Sequence, residues 1–360
     1  MKVSSRAIRR RLTAGDTAYP AGWPPRPHAR FAVLALAAAY ALASFDRAII
    51  TLVGEPLRRD FGITDVQFGI LSGLAFAVPL AVLGIPAGRL ADRWVRKVVL
   101  LGGVVVWSAM TGLCGVVKSF GPLVAARVGV GVGEAGISPT AMPIIADYFP
   151  PERRSRPISI YFLGTHLGQA SAFILGGALL VRLDQLAPRA FPVIGTVRGW
   201  QLLFPIASIA GSLVVVLLLG MREPPRRELM RSAVQARGLA LRDVARYVRR
   251  HVRAYGVILL APTLLSVGFQ ALLVFLPTLL QRAHGWPVDQ AGAMLGIVGL
   301  PMAVSGTLLA GVLGDYVTRR ARRGGHALLL AWAILLAAPF CIAVPLAPNG
   351  YLAIAVLGGG

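Results

Sequence analysis

Apolar runs long enough to cross a bilayer recur along the whole 360-residue chain, and no other feature restricts its fold as severely. A hydrocarbon core about 30 Å thick takes about 20 apolar helical residues to cross. Runs of that kind lie at residues 31–53, 66–88, 98–117, 121–146, 157–181, 200–220, 256–280, 291–313 and 327–347. A tenth begins at Gly350 and has about half the length of a crossing by Gly360. Charged residues make up 14% of the chain, against about 25% in soluble domains, so composition also speaks against a soluble protein. The expected fold class is an all-α polytopic membrane protein.

The first run has some marks of a signal peptide, since Arg9, Arg10 and Arg11 precede it and "ALAS" at 41–44 resembles a cleavage site. The basic leader is long and proline-rich, however, and apolar character resumes beyond Asp46 and Arg47 as far as Val53, which indicates a retained helix. Cys114 and Cys341 lie in separate apolar runs without a ligand-spaced partner. They read as small hydrophobes, with no disulfide framework, metal site or cofactor implied.

The formal net charge is +22. A nucleic-acid partner would be met by basic residues gathered on one face or tail, whereas here they are dealt out between apolar runs. If the N-terminus is cytoplasmic, 28 Lys and Arg fall on that side, in 1–30, 89–97, 153–156, 222–253 and 319–323. Only seven fall on the other: Arg58, Arg59, Lys118, Arg182, Arg189, Arg198 and Arg282. That is the positive-inside pattern. It predicts a multi-pass protein of a bacterial inner membrane with anionic lipids as secondary partners, and no nucleic acid.

Two charge clusters between spans, "GRLADRWVRKVVL" from Gly88 and "GVLGDYVTRR" from Gly311, align at an offset of 223 residues without a gap. Gly88, Asp92, Arg96 and Lys97 match Gly311, Asp315, Arg319 and Arg320, and upstream Gln67, Gly69 and Gly73 match Gln290, Gly292 and Gly296. An Asp followed four and five residues later by a basic pair, at equivalent span ends, indicates duplication, one recognised way of building transporters. Residues 1–30 then form a basic cytoplasmic arm, 31–220 a six-helix bundle and 221–255 a cytoplasmic linker. Residues 256–360 form a partial second bundle with helices seven to nine and the start of ten. Within the linker, 238–250 reads as an amphipathic helix, with Leu239, Val244 and Val248 among arginines.

At these residues the chain resembles the major facilitator superfamily. Gly88, Asp92, Arg93, Arg96 and Lys97 stand at the positions of that family's signature between helices two and three, with Val95 where glycine is usual. The resemblance implies two six-helix pseudo-repeats, the second incomplete here at about nine to ten of twelve helices. It also implies a cytoplasmic latch in which Asp92 faces the family's eleventh helix.

Charges inside spans are costly and point to function. Asp46 and Arg47 fall in the first span, Arg127 and Glu134 in the fourth. Counted from the span ends, Asp46 and Arg127 lie at about the same depth, about 10 Å and 9 Å from one boundary, so an Asp46–Arg127 pair is expected if the first and fourth helices are neighbours, as the resemblance implies. Glu134 is two turns beyond Arg127 on nearly the same face. A buried carboxylate beside an arginine can load and release a proton when movement separates the two.

"RVGVGVGEAGISPTAMPIIADYFPPERR" (127–154), with "FDR" at 45–47 and "GW" at 199–200, narrows the resemblance to the spinster-like branch. There the helix-one Asp and Arg and helix-four Arg and Glu form a proton-sensitive network, which corresponds to Asp46, Arg47, Arg127 and Glu134. The fifth span lacks the Gly-Pro pair of drug antiporters, having Ala172 and Phe173 before Gly176 and Gly177. Gly164 and Gly168 suit close helix packing. His166, Gln169 and Gln270 are cavity candidates, and Pro262, Pro277 and Pro301 are expected to bend the seventh and eighth helices.

No phosphate loop, HExxH pair or nucleophile elbow suggests an enzyme. The reading is a monomeric secondary transporter that moves a small organic or amphipathic solute by alternating access with proton coupling. An organic anion/proton symporter and a non-transporting scaffold or sensor are the alternatives.

Overall fold

The computed structural model describes residues 23–186, 189–191, 195–226, 241–320, 335 and 339–359. The N-terminal arm up to residue 22, part of the linker and most of the 327–347 run lie outside the described residues. Eight helices among the described residues are long and apolar enough to cross a membrane. They are α1 (Arg26–Leu52), α3 (Asp65–Arg93), α4 (Arg96–Cys114), the pair α5 (Phe120–Glu134) and α6 (Ile137–Tyr148), α7 (Ser155–Gln185), α8 (Gly199–Gly220), α10 (Val252–His284) and α11 (Val288–Arg320). Shorter helices are α2 (Gly54–Phe61), α9 (Leu241–Arg250) and α12 (Gly350–Gly359). A hairpin of β1 (Arg189–Phe191) and β2 (Gly195–Val197), in the register Ala190 opposite Thr196, fills the loop before α8. The α9 helix falls within the amphipathic stretch anticipated at 238–250.

Small residues set the closest helix crossing. A Cβ on Gly164 or Gly168 of α7 would collide with the carbonyl oxygens of Ala37 and Ala41 on α1, so the two backbones touch only because these positions carry none. Other departures from ideal helix lie where no periodic cue marks them. A π turn interrupts α3 at Ile70–Leu74 and α7 at Ala172–Gly176. The fourth span breaks at Ala135 and Gly136, between α5 and α6. By contrast, α10 runs unbroken through Pro262 and Pro277, and α11 through Pro301. The helices therefore continue through the three prolines, and the breaks lie elsewhere.

Two apolar clusters fill the interior. One, from Ala29 to Ala43 on α1 and including Trp107, Ile144 and Tyr161, lies toward the arginine-rich end and draws only on residues before 222. The other, toward the arginine-poor end, joins Ile49, Leu57 and Phe173 to Leu276, Leu280, Ala291 and Leu295 of the later helices. Gly292 meets the Phe173 carbonyl, and Gly177 faces Val288 and Asp289, so α7 and α11 also meet near that end. The earlier and later helices thus close together at the arginine-poor end. Toward the other end α10 is exposed at Leu264, Val267 and Phe269.

Candidate functional site

Asp46 and Arg47 are consecutive on α1 and therefore point about 100° apart. Asp46 is 2% exposed and turns to α4, where its Oδ2 accepts a hydrogen bond from the Thr111 hydroxyl at 3.1 Å. Arg47 turns to the fourth span: its Nε donates to the Ala43 carbonyl at 3.1 Å and stands 3.4 Å from Oε2 of Glu134. Glu134, 3% exposed, is the last residue of α5, where the helix breaks. Arg127 is 1% exposed.

Aromatic rings organise the two guanidiniums. The ring of Phe76 on α3 has Arg47 at 5.5 Å and Arg127 at 5.7 Å from its centre, both within cation–π range. Arg47 also lies 5.8 Å from Tyr40, which stacks on Tyr161 at 4.6 Å. Among the described residues, Oδ1 of Asp46, Oε1 of Glu134, and Nε and Nη2 of Arg127 are buried without a hydrogen-bond partner from the protein. Buried polar groups of this kind are expensive to leave unpaired, so these atoms are the ones able to take a hydrogen bond from or to a group outside the protein.

The anticipated Asp46–Arg127 ion pair does not form. Depth along a helix says nothing of azimuth, and the 100° step sends Asp46 to Thr111 and leaves Glu134 to Arg47. All four charges nonetheless come into one region, where Asp46, Arg127 and Glu134 are buried and Arg47 is partly exposed.

A cavity of about 440 Å³ lies between α7, α10, α11 and α12. His166 and Gln169 line it with Phe173, Phe269, Met302 and Leu309, giving a mostly apolar wall. Gln270 is exposed and is not among the lining residues.

The charge cluster after α3 is engaged within the earlier helices. Arg96, 2% exposed, forms an ion pair with Asp147 at the end of α6, itself fully buried. The carboxylate of Glu223 accepts from the backbone N–H of Arg96 and Lys97 at 3.0 and 2.9 Å, capping the N-terminus of α4. Arg226 donates to the carbonyls of Asp92 and Trp94 at the end of α3, and Lys97 to that of Leu219 at 2.7 Å. Gly88 packs on Pro139, where an added Cβ would lie 3.5 Å away. Asp92 and Arg93 are exposed. The second copy differs in backbone: α3 stops at Arg93, whereas α11 stays helical through Gly311, Asp315, Arg319 and Arg320, whose side chains lie outside the described residues.

The opposite end carries a second cluster that joins the halves. Arg282 of α10 pairs with Glu55 at 2.7 Å and Asp65 at 3.1 Å, and Arg58 pairs with the same two carboxylates at 2.8 Å each. Arg58 also donates to Thr278 at 3.3 Å and lies 4.2 Å from the centre of Phe68, whose edge meets Phe275. Burial lowers the pKa of Arg58, which Asp65 and Glu55 oppose.

Sequence reasoning missed Phe76, Thr111, Asp147, Glu223 and the Glu55–Arg58–Asp65–Arg282 cluster. Only Asp147 carried a signal, an acidic residue ending a span beside a basic connection.

The family model of the Major Facilitator Superfamily matches residues 36–360. The chain belongs to the major facilitator superfamily. A crystal structure of a bacterial homologue of the human lysosomal transporter Spinster, in an inward-facing and unoccupied conformation, is similar to this superfamily member with TM-score 0.75 and 32% identity. That likeness covers 93% of this chain and 72% of the other. An MFS-type efflux pump of Mycolicibacterium smegmatis is 29% identical over 302 residues, 82% of this chain and 64% of that protein. A probable L-galactonate transporter of Escherichia coli is 24% identical over 350 residues, 91% of this chain and 71% of that protein. The chain thus spans somewhat under two thirds of the efflux pump's length. It is a spinster-like, multi-pass membrane member of a transporter family, not an enzyme.

Proposed function

We propose that this protein is a secondary active transporter that moves a small organic or amphipathic solute by alternating access, with proton binding at Asp46 and Glu134. The observation that carries the reading is the group of buried Asp46, Glu134 and Arg127 gathered with partly exposed Arg47 between α1 and the fourth span. A proton on Glu134 removes its attraction to Arg47, and a proton on Asp46 weakens the charge-assisted hydrogen bond that it accepts from Thr111. Either change alters what α1 and the fourth span hold between them.

With the arginine-rich end cytoplasmic, the closed arginine-poor end makes this conformation inward-facing, as in the Spinster homologue. The apolar cavity wall suits the hydrocarbon part of a solute, while half-exposed Arg47 suits an anionic group. A second reading, organic anion/proton symport, draws on the same arginine and on the L-galactonate relative. Counterflow of labelled solutes in liposomes separates the readings: an amphipathic lysolipid should exchange under the first, a short organic acid under the second. Exchange of neither from a correctly inserted chain would count against both.

A further inference from the structure

Away from the central cavity, α3, α4 and the fourth span leave a groove of about 380 Å³ on the outer face of the bundle. Leu90, Trp94, Val98, Val106 and Val132 form its rim and are 41%, 61%, 53%, 42% and 42% exposed. Its floor is glycine, for two different reasons. Gly103 and Gly133 are needed for contact, since a Cβ on Gly103 would lie 2.6 Å from the Gly133 carbonyl oxygen. Gly102 meets nothing within 4 Å, and Gly136 only atoms at 3.9 Å, so packing does not account for glycine at 102. What its missing side chain does is keep the groove open.

The groove has the dimensions and chemistry of one lipid leaflet. From Val98 to Val106 is eight residues, about 12 Å at the helical rise, against about 15 Å for half of a hydrocarbon core. At its arginine-rich end stands Trp94, an aromatic at the level where headgroups lie. Arg93 precedes it and is exposed. Arg226 is fastened to the carbonyls of Asp92 and Trp94, adding a cation at the same helix end. Of the nearby acids, Glu223 is held by the N-terminus of α4, and Asp92 lies on the far side of α3 from the groove residues Ala87, Leu90 and Trp94. The mouth is therefore net positive, the rim amphipathic and the interior apolar.

We infer that this groove is a lipid-binding site that holds an acyl chain of an anionic phospholipid, with the phosphate beside Arg93. The inference rests on the groove alone and stands whether or not the transport reading does. Because Gly133 and Gly136 flank Glu134, the bound chain lies against the break in the fourth span.

Trp94 reports on occupancy. The protein is reconstituted in phosphatidylcholine with a low mole fraction of bromine-chain phosphatidylglycerol or bromine-chain phosphatidylcholine. The Trp94 contribution to quenching is the difference between the native chain and Trp94→Phe. The site predicts quenching several-fold stronger with the anionic lipid, reversed by excess unbrominated phosphatidylglycerol. Gly102→Leu, whose side chain enters open space, should lower it to the phosphatidylcholine level, and Arg93→Gln should remove the headgroup preference without touching the packing. Equal quenching by the two headgroups in the native chain would overturn the assignment. So would anionic-lipid quenching that persists unchanged in both a folded Gly102→Leu chain and Arg93→Gln.

Discussion

Arg96 and Asp147 form the most deeply buried ion pair among the described residues, with side chains 3% and 0% exposed. Removing one partner of such a pair strands the other charge in a medium that solvates it poorly, at a cost of about 3–5 kcal/mol. At about 1.4 kcal/mol per decade, the folding equilibrium then shifts by roughly two to three and a half powers of ten. Asp147→Leu and Arg96→Met should each show this loss in denaturant-induced unfolding in mixed micelles. The double variant should recover much of it, because apolar replacement of a whole buried pair is often neutral or stabilising. A control, Arg249→Gln on exposed α9, should stay within about 0.5 kcal/mol. If Asp147→Leu moves unfolding no more than that control, or the double variant loses the sum of the singles, the coupled buried pair is refuted.

Other substitutions test separate parts of the account. Gly168→Leu should prevent α1 and α7 from meeting and abolish the folded monodisperse species in size-exclusion chromatography, because its Cβ would meet a backbone carbonyl that cannot give way. Glu223→Ala should cost about 1 kcal/mol in the same unfolding assay, as expected for a charged helix cap. Arg282→Gln should weaken the closed arginine-poor end, and spin labels at Arg59 and Ala283 should then show a larger long-distance population. An unchanged distance distribution would mean that the apolar contacts alone hold that end.

The spans were legible because crossing a bilayer demands length and uniform apolarity, which the sequence displays directly. Start points were less so: α1 begins at Arg26, after Pro25, where polar residues dilute the run expected from 31. The π turns at 70–74 and 172–176 left no mark, since a one-residue change of helical pitch alters no composition. At the prolines α10 and α11 continue as helix, so those residues mark no helix ends. For the site, rarity of charge within apolar runs picked out Asp46, Arg47, Arg127 and Glu134. Partner choice was not legible, because it depends on which way adjacent residues face and on rings such as Phe76 that look like ordinary lipid-facing residues. Arg96 was picked out by its spacing, but its partner Asp147 reads in the sequence as the polar end of a span. The Arg282 cluster joins residues more than 200 positions apart, beyond any local pattern.

The central claim is proton-coupled transport through Asp46, Arg47, Arg127 and Glu134. The direct measurement is proton flux into liposomes holding an internal pH dye, with the native chain, Asp46→Asn and Glu134→Gln each challenged by a panel of lysolipids and organic acids. The account predicts that one compound class drives proton movement in the native chain and that either substitution abolishes it. Compound-driven proton movement that persists in both variants would contradict the account.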